Sequence, residues 1–325
     1  MVKAIRKVCV ACAMLSVLCA MAWAQPPSEP GPFDVAESYE HLVDAERGRE
    51  FDTLLLLPMP HADTDPPEHG FPLIVLCHGF LLRGEFYRSY GEHLASHGFA
   101  VVLPSLPTTL LGVDHPALAL DIRYVINHYL DADMDPNSPF FGAFDASEIG
   151  SCGHSLGGKL ALLEAVNDAR VGAIGLLDPV DGGGPGNEDP VRYPSVAPEL
   201  MARIDVPLLL IGAELGSVTH VFTPCAPAGE NYQQFYDAAN PPALEVTQLG
   251  AGHGQYVDPA AAALVAACAP GIVDADWVRS SSAAYLTAFF QWRLQGEEDA
   301  RRWLDERLEA DVREERIVVR RKNQD

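Results

Sequence analysis

The chain has 325 residues, 48% of them apolar and 21% charged, and its 45 acidic against 22 basic residues give a formal charge of −23. So acidic a surface repels phosphate backbones and anionic lipid, so no nucleic-acid partner is expected. Length and apolar content suffice for one large α/β domain.

Residues 1–24 differ in kind. Lys3, Arg6 and Lys7 precede an apolar run over 8–21 that ends Ala22-Trp23-Ala24, just before Gln25-Pro26-Pro27. This is the pattern of a secretory leader cut after Ala24, and the run is short for a bilayer span. Export to the exterior or a periplasm is expected, without stable membrane insertion. Loss of three basic and no acidic residues with the leader would deepen the charge to −26. Of seven cysteines, Cys9, Cys12 and Cys19 lie in the leader, while Cys77 and Cys152 fall in predicted core strands as small apolar groups. Cys225 and Cys268 lie in loop-rich regions of an exported chain, which points to a disulfide between them. No cysteine spacing suits a metal, and no metal or cofactor is expected.

Residues 25–37 form a proline-rich lead-in that needs no order of its own, and the main domain is expected over 38–295. Strands are predicted at 38–43 and 50–57, joined at Arg47-Gly48, followed by a polar, proline-rich loop over 61–70. The apolar run 71–76 is the next strand and leads into Cys77-His78-Gly79-Phe80-Leu81. Residues 84–97 read as helix, stopped by Gly98 ahead of a strand over 99–103. A helix follows at 115–130, then an acidic connection over 131–145. The apolar stretch 149–152 runs into Gly153-His154-Ser155-Leu156-Gly157-Gly158, and the sequence from Lys159 is helix-forming. A strand ends at Ile174-Gly175-Leu176-Leu177, with Asp178-Pro179 at its tip. Residues 181–190 combine glycines and carboxylates, but their spacing fits no defined calcium loop and a flexible loop is expected. Strands at 206–211 and 244–249 precede Gly212-Ala213-Glu214 and Gly250-Ala251-Gly252-His253-Gly254. Residues 281–294 form a terminal helix. The charged remainder, 296–325, reads as an appended amphipathic helix and tail, with Trp303, Leu304, Leu308 and Val312 at helical spacing.

The G-x-S-x-G bend between a strand and a helix is a nucleophile elbow. Its glycines clear side chains from a sharp turn, so that the Ser155 hydroxyl projects above the sheet. The α/β-hydrolase plan orders its parts as an oxyanion loop, a serine, an acid and a histidine, and all four occur here in that order. A mostly parallel central sheet with helices on both faces is therefore expected. The backbone N–H groups of Phe80 and Leu156 are assigned to the oxyanion hole, with His78 shaping the loop by hydrogen bonding within it. His253, in a glycine-rich loop after the last core strand, is the expected base. The acid is chosen as Asp178, because the loop after 206–211 offers only Glu214; Asp181 and Glu214 remain alternatives.

The segments Pro72 to Leu82, Phe86-Tyr87, His93 to Pro104, Gly153 to Lys159, Asp178-Pro-Val-Asp-Gly182 and Pro224-Cys-Ala-Pro-Ala-Gly229 together resemble the chlorophyllase family of esterases. The last two are the most particular to that family. The resemblance implies a triad on Ser155, Asp178 and His253, and an ester-hydrolysing activity on the phytyl ester of a chlorophyll-type pigment. Two departures flank the site: Leu156 stands where plant members commonly carry Arg, and the sequence after His253 differs.

The function expected is carboxylic ester hydrolysis through an acyl-enzyme on a hydrophobic ester, since the loops over 80–86, 106–113 and 218–236 are rich in Leu, Phe and Tyr. A secreted lipase, cutinase or polyester hydrolase, a phospholipid acetyl-ester hydrolase, or a non-catalytic lipid- or pigment-binding protein would share this plan. The sequence does not fix the oligomeric state.

Overall fold

Two long strands, β1 (Asp34–Asp44) and β2 (Arg49–Met59), open the fold as an antiparallel hairpin whose turn contains Gly48 at a φ of 62°. The structure is a computed structural model, and it describes residues 25–60, 66–109, 113–183 and 189–323. The expected leader over 1–24 lies outside them, as do parts of the loops over 61–70, 106–113 and 181–190.

Chain order then runs β3 (Phe71–Cys77), α1 (Arg88–Ser96), β4 (Ala100–Ser105), α2 (His115–Met134), β5 (Phe144–His154), α3 (Leu156–Ala165) and β6 (Val171–Leu177). It continues through β7 (Leu208–Ala213), α4 (Tyr232–Ala238), β8 (Ala243–Gln248), α5 (Ala275–Arg293), α6 (Glu298–Arg313) and β9 (Ile317–Lys322). The sheet order is β1-β2-β4-β3-β5-β6-β7-β8-β9. Strands from β4 to β8 run parallel, with antiparallel neighbours at each flank.

Every residue of β3 is buried, as a strand covered on both faces requires. Successive side chains on a strand point to opposite faces, and β3 feeds two separate cores. Leu73 and Val75 pack with Ile122, Val125 and Ile126 of α2 and Leu160 of α3. Ile74 and Leu76 pack with Tyr90 and Leu94 of α1 and Phe289 and Phe290 of α5. Helices thus cover both faces, as the α/β-hydrolase expectation requires. Among the described residues, no helix is long and apolar enough to cross a membrane.

Two parts of the chain differ from expectation. The lead-in is tied down: His93 and His97 hydrogen-bond the carbonyls of Pro27 and Glu29 at 2.8 Å, and Gly31 N–H donates to Ser96 Oγ. Pro27 supplies no N–H, but its carbonyl, like that of Glu29, is a strong acceptor and here finds an imidazole donor. The charged tail also holds a strand, because β9 pairs antiparallel with β8 and closes one sheet edge. Its charge is locally satisfied: Arg320 hydrogen-bonds buried Glu245 and Asp237, and lies 4.3 Å from the Tyr236 ring. A basic outermost strand also discourages edge-to-edge association.

Helix α3 carries a buried carboxyl, Glu164, pushed up to about 8 by burial and by neighbouring Asp168. Its value when folded lies above the ordinary 4.5, so its contribution to stability is complete below that pH and is lost as pH rises through about 8. Glu164→Gln, which cannot ionise, is expected to match the parent near pH 5 and to exceed it by on the order of 3 kcal/mol near pH 9. Chemical denaturation at both pH values checks this, and a gap that does not widen with pH contradicts it.

Candidate active site

The parallel strands all end on one edge of the sheet, and every candidate site residue sits there. At the end of β5, Ser155 adopts φ 56° and ψ −122°, a conformation that side-chain-bearing residues rarely adopt. Its surroundings fix it. Ser155 N–H donates to the Leu177 carbonyl at 3.0 Å, and the Ser155 carbonyl accepts from Gly158 and Val180 N–H at 3.0 and 3.2 Å. The two glycines of the motif are required by contact. A Cβ on Gly153 would lie 2.4 Å from the Gly157 backbone, and one on Gly157 would lie 2.2 Å from the Cys77 carbonyl oxygen.

From this bend a chain of hydrogen bonds runs inward. His253 Nε2 lies 3.0 Å from Ser155 Oγ, and His253 Nδ1 lies 2.7 Å from Asp178 Oδ2. Asp178 is wholly buried at the tip of β6, with φ 40°. Its other oxygen accepts the Ala213 N–H at 3.1 Å, and its own N–H donates to the Ile211 carbonyl. So β7, whose loop lacks an Asp, lends backbone groups to Asp178. Gly216 completes that pocket, since a Cβ there would stand 2.7 Å from Asp178 Oδ2.

The alternatives to Asp178 have other work. Glu214 accepts the Gly250 N–H at 2.7 Å and so braces the loop that carries His253. Asp181 accepts from Val196 N–H, Ala197 N–H and Ser195 Oγ, beside the buried ammonium of Lys159 at 3.4 Å. Burial lowers the Lys159 pKa against the opposing pull of Asp181. Asp181 thereby staples residues 195–197 to α3.

The loop after β3, the expected oxyanion loop, is shaped from within. His78 Nδ1 bonds the Gly79 carbonyl at 2.7 Å, and Leu82 N–H reaches the same oxygen at 3.1 Å. In a planar trans peptide the N–H of Phe80 must then point the opposite way. Burial pushes the His78 imidazole down to about 4, which keeps it neutral. Leu156 is the first residue of α3, where backbone N–H groups lack partners within the helix. Sequence reasoning passed over two further residues at this site, His154 and Tyr87. Their signal was a ring-bearing residue inside the Gly-x-Ser motif and a tyrosine in the turn after the oxyanion loop.

The sequence motifs each gain a physical role. In Asp178-Pro-Val-Asp-Gly182, Pro179 packs on Gly158 and Asp181 N–H donates to the Glu230 carbonyl. In Pro224 to Gly229, Cys225 is disulfide-bonded to Cys268, as expected, and Ala226 N–H donates to the Gly216 carbonyl. Among the described residues, no group of three or more His, Cys, Asp or Glu is arranged to hold a metal ion.

The chlorophyllase family model matches residues 49–314. The chain belongs to the chlorophyllase family. Chlorophyllase-2 of Arabidopsis thaliana is 32% identical over 208 residues, covering 59% of this chain and 63% of that relative. Chlorophyllase-1 of the same plant is 28% identical over 254 residues, covering 74% and 78%. The match to the first of these thus spans a little under two thirds of that relative's length. The fold is also that of the ferulic acid esterase from Streptomyces cinnamoneus, with TM-score 0.63 and 21% identity over 84% of this chain and 94% of that one.

The Cys225–Cys268 bond closes a segment with a sequence separation of 43, joining the loops that follow β7 and β8. Replacing both cysteines by serine is expected to lower unfolding stability by about 2–4 kcal/mol, mainly by freeing the unfolded chain. Denaturant titration of the oxidised parent and the double variant measures it, and superimposable curves contradict it.

Proposed function

We propose that this family member is a carboxylic ester hydrolase acting through an acyl-enzyme on Ser155. The observation that carries the reading is the Ser155–His253–Asp178 chain, at 3.0 and 2.7 Å, on the strand-end edge of the sheet. Asp178 holds the proton on His253 Nδ1, which leaves Nε2 bare to take the Ser155 proton as Oγ attacks the ester carbonyl. The Phe80 and Leu156 N–H groups receive the oxyanion. His253 then gives its proton to the departing alkoxide, the C–O bond breaks, and the acyl group stays on Ser155. Water, deprotonated by His253, releases the acid and restores the serine.

Phe80 and Leu81, after β3, and Val218, Val221 and Phe222, after β7, are exposed on loops at the strand-end edge, Phe222 by 82%. Loops of this kind suit a hydrophobic ester, and the relatives' name makes chlorophyll the first natural substrate to test. The leader over 1–24 supports export, and the disulfide fits an oxidising compartment.

Ser155→Ala is expected to cut ester turnover by about 10⁴-fold or more without loss of fold. A p-nitrophenyl ester series from acetate to palmitate, with chlorophyll in parallel, measures it. Retention of most activity by the variant would sink the assignment.

A further inference from the structure

Behind the Ser155–His253 pair lies a second, wholly internal chain of hydrogen bonds. Gly79 N–H donates to Tyr87 Oη at 3.1 Å, Tyr87 Oη lies 2.6 Å from His154 Nδ1, and His154 Nε2 lies 3.1 Å from the His253 carbonyl. Each bond has only one possible sense. A carbonyl accepts only, so His154 Nε2 carries the proton. Burial, then the nearby His253, holds the His154 imidazole well below its ordinary value, so the ring is neutral and Nδ1 is bare. Tyr87 therefore donates to Nδ1, and its oxygen is free to accept from Gly79. All proton positions follow, and the bonds polarise one another in a single direction.

The chain joins three separate segments. Gly79 directly precedes Phe80, His154 directly precedes Ser155, and the His253 carbonyl belongs to the residue that receives the serine proton. The His154 ring also packs against His253 with centroids 4.6 Å apart and planes tilted by 36°, and against Tyr256 at 5.6 Å and 40°. Tyr87 and His154 are at most 1% exposed. The space is filled as well: a Cβ on Gly79 would lie 3.3 Å from both His154 Nδ1 and Tyr87 Oη.

We propose that Tyr87 and His154 form a positioning strut that sets the oxyanion-loop N–H and the His253 ring against Ser155. The proposal rests on the esterase reading above and adds to it two residues that never meet the substrate. Their effect falls on the transition state, where donor and base must be aligned within fractions of an ångström, and little on binding of the ester.

The test compares Tyr87→Phe, His154→Gln and His154→Phe with the unaltered protein on a soluble p-nitrophenyl ester, with thermal unfolding followed for each. Tyr87→Phe removes one oxygen, and is expected to lower kcat by about 10- to 100-fold with KM within about twofold. His154→Gln keeps one acceptor and one donor and is expected to retain more kcat than His154→Phe, which keeps only the packed ring. A folded Tyr87→Phe with unchanged kcat overturns the strut, as do equal losses in the two His154 variants, or losses confined to KM. Should Tyr87→Phe not fold, the His154 pair decides. Absence of Ser155-dependent turnover in the unaltered protein fails differently: it removes the esterase reading, and the strut with it.

Discussion

The backbone bend at Ser155 is the constraint on which the rest of the site depends. A φ of 56° is costly for a residue with a side chain, by about 1–3 kcal/mol, and persists only where neighbours over-determine it. Here β6 takes the Ser155 N–H, α3 and the Pro179-Val180 turn take its carbonyl, and Gly153 and Gly157 are pressed against backbone. Helix α3 can come so close to β3 only because Gly157 has no side chain. That closeness brings the first turn of α3 against the end of β3, beside the bend that carries Ser155.

The second requirement is a carboxylate out of water. Removing Asp178 from solvent costs several kcal/mol unless both oxygens are satisfied. One oxygen faces His253 Nδ1 and the other the Ala213 N–H, so β6, β7 and β8 all contribute to holding one side chain. The loop after β7 itself carries no Asp. Its groups serve the carboxylate from outside, Ala213 by donation and Gly216 by leaving room, while Glu214 fixes the neighbouring histidine loop.

Much of this was legible in the sequence because the signals are local. The glycine spacing around Ser155, the apolar runs of β3, β5 and β6, and the glycine-rich loop at His253 are each readable within a few residues. Asp178 could be read as a carboxylate at a strand tip, with Asp181 and Glu214 left beside it, and Cys225 and Cys268 as a pair by compartment. What was missed depends on pairing across distance. Residues 317–322 carry Arg320, Arg321 and Lys322 and look like a solvated tail; backbone pairing with β8, about 70 residues earlier, makes them a strand, and Glu245, buried on β8, takes the charge of Arg320. The lead-in is ordered by imidazoles in and just after α1, beyond the range of any local pattern. Tyr87 and His154 were passed over for the same reason, since their roles exist only once the turn after β3, the end of β5 and the loop after β8 meet.

The most direct test of the central claim is covalent. An alkyl fluorophosphonate reacts with a serine only when a base removes its proton and donors hold the developing oxyanion. Incubation with this reagent, followed by intact-mass and peptide mass spectrometry, is expected to give one adduct per chain on the peptide containing Ser155, and none in a His253→Ala variant. An unlabelled chain, or an adduct on another residue, would contradict the account.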